Sequence, residues 1–98
     1  MYIINIYRCR INLNSTIGHD IKLGNFVTCS PGVNISGNCN IGNNILIGIN
    51  TSIKENINIL DNVIIGMGSV VLKDIIEKRI YFGNSLKNIN YLILIIIK

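Results

Sequence analysis

The stretch "IGNNILIGINTSIKENINILDNVIIG" (residues 41–66) places an isoleucine at every sixth residue. Extending the step of six in both directions reaches an apolar residue every time. The positions are Ile11, Ile17, Leu23, Cys29, Ile35, Ile41, Ile47, Ile53, Ile59, Ile65 and Val71. Apolar residues make up only 49% of the chain, so chance is a poor explanation for this unbroken series. The six-residue period therefore decides the fold.

A second inward position and a corner complete each six-residue unit. Four places after each periodic residue stands another small or branched one: Ser15, Ile21, Val27, Val33, Cys39, Ile45, Thr51, Ile57, Val63, Ser69 and Ile75. The third and fourth places hold mostly Asn, Asp and Gly, which tolerate the left-handed backbone that tight corners require. Each unit therefore predicts a short strand followed by a corner.

Two other secondary structures fit the pattern poorly. Apolar residues separated by six and four do not follow the 3.6-residue period of a helix, and the many Gly and Asn residues would interrupt one. An antiparallel meander would need longer alternating runs between its turns. A repeated strand-and-corner unit remains.

Length and composition narrow the possible functions. The chain has 98 residues, the length of one domain, and its net charge of +4 comes from scattered residues that form no nucleic-acid patch. The three cysteines, Cys9, Cys29 and Cys39, have no C-x-x-C pairing, which indicates neither a disulfide framework nor a zinc site. The N-terminus does not read as a secretory signal, and "YLILIII" (residues 91–97) is far shorter than a membrane span. We expect a cytoplasmic protein without a membrane span.

Four segments carry a resemblance to a known family. They are "STIGHD" (15–20), "LGNFVTCSPGVNISGNCNIG" (23–42), "NVIIGMGSVVLKDI" (62–75) and "GNSLK" (83–87). Over residues 11–87 the chain resembles the hexapeptide-repeat acyltransferases. The nearest branch contains sialic-acid O-acetyltransferases and the N-acetyltransferases of UDP-4-amino-sugars. In that family three hexapeptides make one triangular coil of a left-handed parallel β-helix.

The resemblance implies an all-β, single-stranded left-handed parallel β-helix of about four coils over residues 11–76. Residues 1–10 would form an N-terminal strand or cap, and residues 77–98 a C-terminal loop and apolar tail. With 18 residues per coil, the inward columns are 11/29/47/65, 17/35/53/71 and 23/41/59. Such columns bury branched side chains against one another at the spacing of neighbouring strands.

The only histidine, His19, is the candidate catalytic base. Taken alone, a histidine followed by Asp20 at a corner reads as a solvated corner residue. The 18-residue step, however, places Gly37 next to it in its column, followed by Glu55 and Lys73. Gly37 leaves space over the imidazole and exposes a backbone N–H, and a base beside an oxyanion donor suits acyl transfer.

The resemblance gives each of these residues a role. The matching histidine takes a proton from the acceptor amine or hydroxyl, and the following carboxylate, here Asp20, makes the histidine more basic. The matching glycine, here Gly37, polarises the thioester carbonyl. The acceptor attacks directly and no cysteine nucleophile is needed. Cys29 falls on an inward position, where we expect a core residue.

The resemblance also implies an acetyl-CoA site. Besides Gly37, its candidate residues are Ile49 and Met67 on another corner column, Thr28, and Lys87 in the "GNSLK" loop. The family often has His where Thr28 stands and Gly where Met67 stands. It has Gly-Asn-Pro-Ala-Lys where this chain has "GNSLK". No metal is implied.

The function implied is transfer of an acetyl group from acetyl-CoA to an amino or hydroxyl group of a sugar or nucleotide-sugar. The enzyme would be a homotrimer with sites between neighbouring β-helices. Full members carry an N-terminal nucleotide-sugar domain, which the residues before Ile11 do not supply. The alternative is a non-catalytic β-helix, a truncated remnant or assembly subunit. A zinc carbonic anhydrase needs three histidines, and an ice-binding β-helix needs a regular ladder of outward threonines.

Overall fold

The computed structural model describes the backbone of residues 3–4, 8–77 and 80–81, and the side chains of residues 8–77. These residues form short strands and no helix, so none of them belongs to a helix that could cross a bilayer. The strands are β1 Ile3–Ile4, β2 Arg10–Ile11, β3 Thr16–Ile17, β4 Ile21–Leu23, β5 Val27–Cys29, β6 Asn34–Ile35, β7 Asn40–Ile41, β8 Ile45–Ile47, β9 Ser52–Ile53, β10 Asn58–Ile59, β11 Val63–Ile65, β12 Val70–Val71 and β13 Ile80–Tyr81.

The strands form three parallel sheets. Sheet A has the order β1-β4-β7-β10, sheet B the order β2-β5-β8-β11-β13, and sheet C the order β3-β6-β9-β12. Consecutive strands lie in different sheets, so the chain visits each sheet once per coil. The protein is therefore a parallel β-solenoid, with one corner between each pair of sheets, which we name the AB, BC and CA corners.

The strand register confirms the inward columns predicted from the sequence. In sheet B, Ile11 pairs with Cys29, Cys29 with Ile47, and Ile47 with Ile65. The columns that begin at residues 17 and 23 pair in the same way in sheets C and A. Three such steps correspond to about three turns, against the four coils expected. The left hand of the helix and the division of the chain at residues 10 and 76 stay predictions.

The coil becomes shorter after β12. Ile59 in sheet A is bridged by Ile75, and Ile65 in sheet B pairs with Tyr81. The side chain of Asn58 donates to Asp74 Oδ2 at 3.4 Å across the same 16 residues, whereas the side chain of Asn40 in the preceding coil donates to Asn58 across 18 residues. The two-residue shortening explains why the six-residue period ends at Val71.

The interior is a single column of aliphatic and small side chains. Its fully buried members include Ile21, Leu23, Val27, Cys29, Val33, Ile35, Ile45, Ile47, Ile53, Ile65, Val71 and Ile75. Two hydroxyls, on Thr51 and Ser69, are also buried, and both donate to the carbonyl of Gly66. One inward position is not buried: Ile11 pairs in register with Cys29 but is 41% exposed, because too little of the solenoid lies beyond it to cover its side chain.

Each corner from Arg8 to Gly68 uses a left-handed backbone conformation at the fourth place of its unit, whereas Asp74 in the shortened coil does not. Positive φ recurs at each sixth residue: Arg8, Asn14, Asp20, Phe26, Gly32, Asn38, Asn44, Asn50, Asn56, Asn62 and Gly68. Asn, Asp and Gly bear this conformation at the lowest cost, which explains their frequency here. Arg8 and Phe26 are the exceptions, and both lie at the AB corner.

Side-chain oxygens stabilise the AB corner from one coil to the next. Asn43 Oδ1 accepts a hydrogen bond from the backbone N–H of Asn25 at 2.7 Å, and Asp61 Oδ1 accepts one from Asn43 at 2.7 Å. Asn44 donates to Asn62 at 3.2 Å on the same corner. The bonds from the N–H groups of Asn25 and Asn43 satisfy backbone donors that a corner would otherwise leave without partners, and the Asn44–Asn62 bond links two side chains.

Candidate functional site

His19 and Asp20 form the CA corner between β3 and β4. Asp20 takes the left-handed conformation, with φ of 56°, which turns the chain sharply between the two strands. The turn directs both side chains outward, where their exposed fractions are 69% for His19 and 59% for Asp20. The pair is therefore accessible to a ligand from solvent.

A hydrogen bond orients the imidazole. His19 Nδ1 lies 3.0 Å from Asp20 Oδ2. A carboxylate accepts only, so this contact places a proton on Nδ1 and leaves the lone pair of a neutral imidazole on Nε2. The ring nitrogen that can accept a proton is then the one pointing away from Asp20.

Gly37 lies against this free edge of the imidazole. A Cβ atom on Gly37 would be 2.7 Å from His19 Nε2 and 2.9 Å from Cε1, closer than such atoms normally approach. Any other residue would push the ring away. The stacking of Gly37 on His19 predicted from the 18-residue step is thus confirmed, while the catalytic roles of His19, Asp20 and Gly37 stay predictions.

Backbone hydrogen bonds fix the corner around Gly37. The carbonyl of His19 accepts from the N–H of Asn38 at 3.0 Å, and the carbonyl of Gly37 accepts from Asn56 at 3.0 Å. The N–H of Gly37 donates no hydrogen bond to any residue between 8 and 77. The backbone of Gly37, whose amide donor is unused among residues 8–77, therefore lies next to the imidazole edge that carries the proton acceptor Nε2.

The other predicted cofactor residues lie elsewhere on the solenoid. Ile49 and Met67 share the BC corner, where the N–H of Gly68 donates to the carbonyl of Ile49 at 2.7 Å. Thr28 points outward from sheet B and is half-buried. A single chain does not bring these three residues to His19. Lys87 lies outside the described residues.

The buried cysteines are protonated thiols in the core. Cys29 is fully buried, and burial, with a smaller effect of nearby Cys9, raises the pKa of its thiol to about 11. Burial is also the main cause that raises the pKa of Cys39. The inward position expected for Cys29 is confirmed, and neither buried thiol suits nucleophilic chemistry. Residues 8–77 contain no cluster of three or more His, Cys, Asp or Glu side chains that could hold a metal ion.

Sequence reasoning named Thr28 as a cofactor residue but missed the two arginines and the phenylalanine around it. Arg8, Arg10, Phe26 and Thr28, together with Cys9, line a depression of about 400 Å³ at the AB corner and the adjoining edge of sheet B. The signal was available, because the 18-residue step pairs Arg10 with Thr28 and stacks Arg8 on Phe26.

A second surface feature is an apolar stripe on sheet B. Thr28, Leu46 and Ile64 follow one another in register on its outer face, and Leu46 and Ile64 are 43% and 41% exposed. Ile49 and Met67 extend this apolar surface around the BC corner. By contrast, the outer face of sheet A presents polar residues, Lys22, Asn40 and Asn58.

The fold and the CA corner define a parallel β-solenoid that carries an exposed histidine–aspartate pair against a glycine. No protein-family model matches the chain, and no curated protein matches it.

Proposed function

We infer that the chain is an acetyltransferase of the hexapeptide-repeat class, which moves an acetyl group from acetyl-CoA to an amino or hydroxyl group of a sugar or nucleotide-sugar. The observation that carries this proposal is the CA corner. There the Asp20 carboxylate holds His19 Nδ1 at 3.0 Å, and Nε2 faces Gly37 and solvent. Acyl transfer needs a proton acceptor and an oxyanion donor close together.

In the proposed reaction, Nε2 of His19 removes a proton from the acceptor as its nitrogen or oxygen attacks the thioester carbonyl. The N–H of Gly37 donates to the oxygen on which negative charge develops. The C–S bond then breaks, and the CoA thiolate takes up the proton from the imidazolium. Asp20 keeps the imidazole in the tautomer that makes Nε2 the acceptor. Charge and protons balance without a metal ion.

We further propose that the active form is a homotrimer. Ile49 and Met67 occupy the BC corner, whereas His19 occupies the CA corner, so a neighbouring copy would have to bring the cofactor residues to the base. The apolar stripe of Leu46 and Ile64 on sheet B supports such packing, because exposed aliphatic ladders are unfavourable in water. With acetyl-CoA as co-substrate, we place the reaction in the cytoplasm.

Acetyl transfer can be tested directly with acetyl-CoA and a panel of amino-sugars, sugars and their nucleotide derivatives, with acetylated products detected by mass spectrometry. We expect turnover by the wild-type chain and a loss of about 10²- to 10⁴-fold in His19→Ala. Glu55→Ala is the matched control, because Glu55 is an exposed residue of the same corner column and contacts Lys54 at 3.8 Å. Its activity should stay unchanged.

Two outcomes would contradict the proposal. Undiminished turnover in His19→Ala would remove the base from the reaction. Absence of turnover with every acceptor in the panel, in a folded wild-type protein, would favour the non-catalytic β-helix instead.

A further inference from the structure

The depression at the AB corner has the composition of an anion site. Among residues 8–77, those that line it are Arg8, Cys9, Arg10, Phe26 and Thr28, and none of these five is acidic. Two guanidinium groups and a hydroxyl therefore border one cavity of about 400 Å³. No carboxylate from residues 8–77 forms an ion pair with Arg10.

The solenoid brings these residues together through its 18-residue coil. Arg10 and Thr28 are register partners on the outer face of sheet B. Arg8 and Phe26 occupy the same corner place in successive coils, and the Arg8 guanidinium carbon lies 5.9 Å from the centre of the Phe26 ring. At this distance the ring attracts the cation and restricts where it lies.

The left-handed backbone conformation costs more conformational free energy at Arg8 and Phe26 than at the other described corners. Arg8 and Phe26 have φ of 53° and 60°, a conformation that the remaining corners give to Asn, Asp or Gly. Further along the same corner, Asn44 and Asn62 take it with φ of 58° and 61°. Bulky residues kept in an unfavourable backbone conformation are frequent at binding sites.

We propose that the AB depression binds the phosphate groups of an organic phosphate ester. The planar guanidinium groups of Arg8 and Arg10 match the geometry of phosphate oxygens, and the Thr28 hydroxyl adds a third donor. Phe26 positions Arg8 through its ring face. Thr28 is also a predicted cofactor residue, but the proposal does not depend on acetyl transfer, because Arg8 and Arg10 can bind phosphate whether or not His19 at the CA corner is a base.

Two sources could supply such phosphates: the nucleotide part of CoA and the diphosphate of a nucleotide-sugar. Calorimetric titration with inorganic pyrophosphate, adenosine 3′,5′-bisphosphate and uridine diphosphate separates them. Preference for the bisphosphate assigns the site to CoA, and preference for uridine diphosphate assigns it to a nucleotide-sugar. Equal affinity for the three probes would mean that the site recognises only the phosphate groups. Each of these results supports the site.

Three variants test which residues hold the anion. Arg10→Gln should weaken binding of the tightest probe by about tenfold or more, as expected for loss of a charged hydrogen-bond donor. Lys22→Gln is the matched control, since it removes one positive charge from sheet A, and its affinity should stay within about twofold of the wild type. Phe26→Asn should weaken binding and yet raise the thermal midpoint, because Asn favours positive φ.

The proposal is overturned if the folded wild-type protein shows no saturable binding of any probe. It is equally overturned if Lys22→Gln weakens binding as much as Arg10→Gln, since the attraction would then come from overall charge. A wild-type affinity for the anion that does not weaken as salt is added would also contradict the proposal.

Discussion

Replacing Gly37 with alanine separates the proposed chemistry from the fold. The added Cβ would be 2.7 Å from His19 Nε2 and 3.1 Å from Cδ2, so the imidazole has to move to an ordinary contact of about 3.5 Å. The displacement needed is about 0.8 Å. The contacted atoms belong to an exposed side chain, which moves at a cost of about 1 kcal/mol or less. The Gly37 amide remains, so only the base is displaced.

We expect Gly37→Ala to lower acetyl transfer by about 10²-fold, the effect of a misplacement of this size on a catalytic group. The thermal midpoint, measured by circular dichroism, should hardly change. Gly48→Ala is the matched control: its Cβ would meet backbone atoms, 2.5 Å from Met67 N and 2.8 Å from Ile65 O, which cannot move independently. Overpacking of this kind costs about 1–3 kcal/mol, or roughly 5–20 °C in the midpoint.

If Gly37→Ala transfers acetyl groups at the wild-type rate, the position of the imidazole does not matter for transfer and His19 is not the base. A fall in the thermal midpoint of Gly37→Ala as large as that of Gly48→Ala would also contradict the prediction. Gly37 would then be required for backbone packing and not for the position of the imidazole.

Three further predictions concern the base, the corners and the core. Asp20→Asn keeps the left-handed corner but removes the carboxylate on His19 Nδ1, so turnover should fall, by less than in His19→Ala, at an unchanged thermal midpoint. Asn56→Ala should lower the free energy of unfolding in urea by about 1–2 kcal/mol because φ is 62°, whereas Asn56→Gly should lower it less. Burial raises the pKa of the Cys29 thiol from its ordinary value of 9.0 to about 11, so the thiol of the unfolded chain ionises first and the free energy of unfolding falls as pH rises from 9 to 11. Urea titrations across that range should show a smaller fall in Cys29→Val.

The register of the solenoid was predictable because it depends on two inward positions repeated every six residues. A shift by one residue would turn the whole aliphatic series outward, so Ile35, Ile53 and their neighbours specify the pairing strongly. The pairing of Gly37 with His19 follows from the same step. Ordinary propensities for corner residues also anticipated the conformation of Asn38 and Asn56.

Other features depend on contacts that a period does not encode. Ile11 fits the pattern but is exposed, because burial requires a further coil beyond it. The shortening at Ile75 removes two residues from one coil, which a fixed step of six cannot anticipate. The AB depression was not predicted because Arg8 and Phe26 are not the Asn, Asp or Gly typical of corners. At these two positions the exceptions to the corner pattern mark the candidate site.

Calorimetric titration of the wild-type protein with acetyl-CoA is the most direct test of the proposed acetyltransferase. We expect saturable binding with a Kd between about 1 μM and 1 mM, the usual range of enzyme KM values. His19→Ala should bind with a similar Kd, because the base acts on the acceptor and the cofactor is held by other residues. If the folded wild-type protein shows no saturable binding of acetyl-CoA at concentrations well above 1 mM, the chain is not an acetyl-CoA-dependent enzyme.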